Sequence, residues 1–80
     1  MHIALIGKPD CHLCHDAREV VARVCGDLGL TWHEFSILDD PALYDEFWEK
    51  IPVVQVEGRT VDFWTVDEER LRRILSDNRT

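Results

Sequence analysis

Cys11 and Cys14, two thiols three residues apart in Cys11-His12-Leu13-Cys14, carry the most pointed chemistry in the chain. The apolar run 2–7 precedes them and a helical pattern reaching about Leu28 follows, so they fall at a strand-to-helix turn. There the pair can close a small reversible disulfide, and the unpaired N–H groups of a helix N-terminus favour a thiolate. Lys8 and a protonated His12 favour it on Cys11 as well, while Asp10 opposes it as a neighbouring like charge. Cys14, one turn further in, is expected to be the less exposed thiol. Cys11 is therefore expected to be the nucleophile and Cys14 the thiol that resolves the mixed disulfide.

Other chemistries share these residues. Cys11-His12-Leu13-Cys14-His15 matches the c-type haem attachment pattern, but the sole methionine is Met1, which leaves no downstream Met as axial ligand. His15 is then expected on the helix surface. An iron–sulfur electron carrier would use the same thiols. Cys11, Cys14, Cys25 and His33 count as four zinc ligands. Yet Cys25 lies eleven residues beyond Cys14, about 16 Å along one helix, too far for a single ion. No metal is expected, and Cys25 reads as a core cysteine beside Val21, Val24 and Leu28.

The elements that must position the dithiol follow from patterning. Residues 2–6 read as a buried strand ended by Gly7 and Pro9. Leu13, Ala17, Val20, Val21, Val24 and Leu28 recur at helical spacing, and Gly29 stops that helix. A strand is predicted over 31–37. Asp39-Asp40-Pro41 then starts a short helix, expected to bury Leu43, Tyr44, Phe47 and Trp48. Residues 53–56 and 60–64 form a hairpin around Glu57-Gly58-Arg59. A last helix begins near Val66-Asp67 and carries Leu71, Ile74 and Leu75. The order is β-α-β-α-β-β-α in one domain, residues 1–76, with 77–80 as a frayed tail. It packs most simply as a four-stranded mixed sheet with helices on both faces.

Eighty residues build a single thin core, and a formal charge of −7 disfavours nucleic acid as a partner. No apolar run approaches a membrane span, and no membrane partner is expected. The stretch 3–6 is too short for a secretory leader, with Lys8 and Pro9 close behind. Three cysteines do not suit a disulfide-stapled secreted scaffold, so a cytoplasmic home is expected.

The element order, the Cys-x-x-Cys after the first strand and Ile51-Pro52 before the third together resemble the thioredoxin superfamily, the glutaredoxin branch above all. The likeness spans residues 2–75. It implies that Cys11 is the nucleophile, Cys14 the resolving thiol and Pro52 a cis proline facing them. It also implies that Ile51 offers its backbone to a bound thiol partner and that Lys8 favours thiolate and a glutathione carboxylate. Trp64 falls where the family holds its partner.

The chain departs from that pattern in three places. Lys50-Ile51-Pro52 replaces Thr-Val-Pro, His12-Leu13 replaces Pro-Tyr, and the Gly-Gly pair before the last helix gives way to Asp62-Phe63-Trp64-Thr65-Val66-Asp67. Close approach to glutathione is thereby weakened, although Asp67 remains to meet an amine. The expected activity is that of a monomeric thiol–disulfide oxidoreductase acting on protein or glutathione mixed disulfides. It has no bound cofactor, glutathione is a candidate co-substrate, and a reductase system supplies electrons. The alternative is a redox-regulated docking module of the same fold without turnover.

Overall fold

The computed structural model describes residues 1–78. Its elements are β1 (Ile3–Gly7), α1 (His12–Leu28), β2 (His33–Ser36), α2 (Pro41–Phe47), β3 (Val53–Val56), β4 (Arg59–Phe63) and α3 (Glu68–Asn78). The expected order is the observed one. Helix α3 runs through Asn78, past the expected boundary of the tail at 77, and residues 79–80 lie outside the described residues.

The sheet runs β2-β1-β3-β4, with β1 and β2 parallel and the other pairs antiparallel. Strand β1 is central and its five residues are all buried, so its alternating side chains feed two cores. Ile3 and Leu5 join Val54 and Val56 under α1 and α3, with Ala17, Val21, Val24, Leu71 and Leu75. Ile6 and Val53 point to the opposite face, against Ile37 and Phe47 of the α2 side. Helices thus cover both faces.

Local chemistry sets the helix limits. Cys11 is the N-cap of α1, and Gly29, at φ 69°, closes it with its N–H directed to the Cys25 and Gly26 carbonyls. Asp40 caps α2 by accepting the Ala42 N–H at 2.9 Å, with Pro41 in the first turn. An ionic network joins α1 to α3. Glu68 accepts from Arg23 at 2.7 Å and from Arg72 at 2.9 Å, and Arg72 also reaches Asp27 at 2.8 Å.

Three expectations are corrected. Tyr44 and Trp48 do not join the core of α2. They stack on each other at 6.4 Å and stay exposed, because seven residues of helix present only Phe47 and part of Leu43 to the sheet. Strand β2 is shorter than 31–37 and largely exposed, as befits an edge. Strand β4 ends at Phe63, since Trp64 turns to φ 64°.

Candidate functional site

The turn from β1 into α1 sets the two thiols in different surroundings. Cys11 is half-buried and Cys14 is buried, 1% exposed, and both are free thiols. The Cys14 N–H donates to Cys11 Sγ at 3.2 Å, so a first-turn amide of α1 points at the outer sulfur. Burial, with the hydrogen bond and charge of Cys11, pushes the Cys14 thiol up from 9.0 to about 11, against a smaller opposite pull from the Lys8 backbone N–H. The outer sulfur is thus the accessible one, and the inner one is held as a neutral thiol.

Cys11 opens into a cleft of about 360 Å³ lined by Lys8, Pro9, Asp10, His12, His15 and Arg18. Lys8 and His12, both expected near the nucleophile, are there. Arg18 is the residue that sequence reasoning missed, and His15, expected on the helix surface and exposed there, lines the cleft as well. They lie two turns and one turn along α1 from Cys11, a spacing that could have flagged them. The imidazoles of His12 and His15 sit beside Asp16 at 3.4 Å and Glu19 at 3.2 Å, and Arg18 pairs with Glu34 across to β2. Asp10 takes φ 60° just before the cap, a left-handed turn that Asp tolerates better than most residues.

The Ile51–Pro52 peptide bond is cis. Trp64 ties this loop to the end of β4. Its N–H donates to the Pro52 carbonyl at 2.8 Å and to that of Lys50 at 3.3 Å, while its indole N–H donates to the Glu49 carbonyl at 2.8 Å. On its other side Trp64 lines a groove of about 200 Å³ with Leu13, from the middle of the motif. Ile51 makes no backbone hydrogen bond among the described residues. Asp67 is engaged locally: Oδ1 accepts the Arg70 N–H at 3.2 Å, capping α3, and its own N–H donates to Asp62 at 3.1 Å.

Helix α1 is unbroken from Cys14 to Cys25, which places them about 16 Å apart along its axis. Cys25 is fully buried in the larger core, and burial raises its thiol. Among the described residues no helix is long and apolar enough to cross a membrane.

Residues 2–76 match the model of the glutaredoxin-like domain family (DUF836). The chain belongs to that family. An uncharacterized protein of Mycobacterium tuberculosis (strain H37Rv) is 31% identical over 75 residues, covering 88% of this chain and 77% of the relative. Among solved structures, the structural-genomics target XcR50 from X. campestris is 32% identical, with a TM-score of 0.78 over 94% of this chain and 96% of that one. Thioredoxin 1 of Thermosipho africanus covers both chains fully, with a TM-score of 0.66 at 10% identity, a likeness of fold alone. The chain is thus a glutaredoxin-like protein with a thioredoxin-like fold.

Proposed function

We propose that the chain is a thiol–disulfide oxidoreductase in which Cys11 attacks and Cys14 resolves. One observation carries the reading: an open, half-buried Cys11 sulfur at a helix N-cap accepts the Cys14 N–H at 3.2 Å, with a buried thiol one turn behind it. The Cys11 thiolate displaces one sulfur of a substrate disulfide, forming a mixed disulfide and releasing a thiolate that takes up a proton. Cys14 then loses its proton and attacks Cys11 Sγ. The Cys11–Cys14 disulfide forms, the second substrate sulfur leaves, and two electrons have passed to the substrate.

The raised Cys14 thiol suits this order. Two of its three raising influences, the hydrogen bond and the charge of Cys11, come from the free outer sulfur. Both disappear once Cys11 is bonded to substrate, so Cys14 becomes easier to ionise at the moment it is needed. Lys8 supplies positive charge beside the reacting sulfur, and His12 lines the same cleft. Ile51, with unengaged backbone groups, and Pro52 form the edge along which a partner lies as an added strand. Trp64, bonded to the Lys50 and Pro52 carbonyls, borders that edge. The enzyme acts as a monomer in a reducing compartment such as the cytoplasm, needs no resident metal or organic group, and is recharged by glutathione or by a thioredoxin reductase system.

The test pairs two measurements. Wild-type protein is assayed for disulfide reduction with glutathione and glutathione reductase, and separately with thioredoxin reductase. Cys14→Ser is expected to accumulate mixed disulfides on Cys11, and Cys11→Ser none. Turnover with neither donor, together with partner capture, would point to a docking module instead.

A further inference from the structure

We propose that the outward face of α2 docks a basic segment of a partner protein, one that carries arginine or lysine beside apolar side chains. Tyr44 and Trp48, four residues apart, lie on this face 45% and 52% exposed. Their rings are near parallel, 10° apart, with centroids at 6.4 Å. Around them, residues 39–49 hold Asp39, Asp40, Asp45, Glu46 and Glu49 and no cation, the next one along being Lys50. All five carboxylate side chains are on exposed residues. Elsewhere acid and base offset each other: Glu34 holds Arg18, Glu68 holds Arg23, and Glu68 and Asp27 hold Arg72. On α2 nothing does so. Asp40 accepts the Ala42 N–H as the helix cap, and none of the five is in an ion pair among the described residues.

Charge selects the occupant. A second copy would set the same carboxylates against themselves, and nucleic acid or an anionic membrane would be repelled in the same way. A guanidinium or ammonium group gains from both parts of the surface. The carboxylates of Asp45 and Glu49, each next in sequence to one of the rings, draw it in, and the ring faces of Tyr44 and Trp48 receive it. Exposed ion pairs are individually weak, so the aromatic pair supplies the holding contact while the carboxylates supply attraction and orientation. Apolar side chains of the partner then cover the rest of the rings. Phe47 packs α2 onto the Ile6, Ile37 and Val53 face of the sheet, opposite the core shared by α1 and α3. Docking there is therefore independent of what the dithiol does.

The experiment titrates a short peptide alternating arginine and leucine into the labelled protein and follows its amide shifts by NMR. A counterpart with glutamate in place of arginine is the control. The arginine peptide is expected to bind, with shifts confined to residues 39–50, and the glutamate peptide is not. Tyr44→Ala with Trp48→Ala, both at exposed positions, keeps the charge and should raise Kd about tenfold. Asp45→Asn with Glu49→Gln should raise it by a similar factor and flatten its dependence on salt. Glu57→Gln with Glu69→Gln removes the same charge elsewhere and should change Kd less than about twofold. Equal losses in the two charge-neutralised proteins, or shifts scattered over the acidic surface, would mean that net charge alone acts, and would overturn the docking face. So would binding that survives loss of both rings, or no binding of the arginine peptide. Shifts in residues 39–50 that grow with protein concentration, without peptide, would assign the face to a second copy and overturn the basic partner.

Discussion

Gly7 makes the space that Cys14 occupies: a Cβ added to Gly7 would lie 2.9 Å from Cys14 Sγ and 3.2 Å from Cys14 Cβ. The strand cannot easily give way. Gly7 ends the central β1, pairs with Ser36, and accepts the Ile37 N–H at 2.9 Å. In Gly7→Ala the buried sulfur must therefore move. Overpacking of this kind costs about 1–3 kcal/mol, visible in denaturant unfolding. The larger effect should fall on resolution: Cys11 should still form mixed disulfides, but they should persist, as counted by mass spectrometry. Unchanged stability and turnover in Gly7→Ala would contradict this role.

Thiol reactivity should separate the three cysteines. Only thiolate is alkylated. With Cys14 pushed up to about 11, roughly a thousandth of it is ionised at pH 8. Cys25 is fully buried, and its thiol is also raised by burial. Iodoacetamide at pH 8 should thus label Cys11 alone in native protein and all three thiols after unfolding. Cys11→Ser should abolish native labelling while Cys14→Ser retains it. Faster labelling of Cys14 would reverse the two roles.

Much of this site is legible in the sequence. A strand, a turn and a periodic helix in sequence necessarily bring Cys11 to a helix cap, and Gly29 marks where that helix stops. The steric need for Gly7 was not legible, because it depends on how tightly α1 crosses β1. Nor was the role of Trp64, whose bonds to Glu49, Lys50 and Pro52 join segments that only the sheet brings together. Local patterning placed Trp64 at the end of a strand, whereas its left-handed backbone serves the loop before β3. On α2, the spacing of Tyr44 and Trp48 fitted a buried face, but periodicity cannot say how wide the face is that a seven-residue helix actually covers.

Gly29 offers a control of the opposite kind to Gly7. A Cβ there would meet nothing within 4 Å, but φ is +69°. Gly29→Ala should cost about 1–2 kcal/mol from backbone conformation alone, leaving Cys11 labelling and disulfide turnover unchanged. A thermal or denaturant melt checks the first and the alkylation assay the second. Loss of turnover in folded Gly29→Ala would mean that the far end of α1 bears on the dithiol.

Acid should loosen the packing of α3 on α1. Hydrogen bonds from Arg23 and then Arg72 hold the Glu68 carboxyl down at about 2, against an ordinary 4.5. A carboxylate whose value is depressed by folding adds stability that is present above its unfolded value and lost as pH falls toward its folded one. The contribution of Glu68 is therefore full at neutral pH and declines from about pH 4.5 to about 2. The three side chains are at least a third exposed, so salt should weaken the network across the same range. Glu68→Gln should be less stable than wild type at pH 7, with the difference shrinking as pH drops through that window and as salt is added at pH 7. A difference that stays constant from pH 7 to pH 2 would show that Glu68 acts through packing rather than charge.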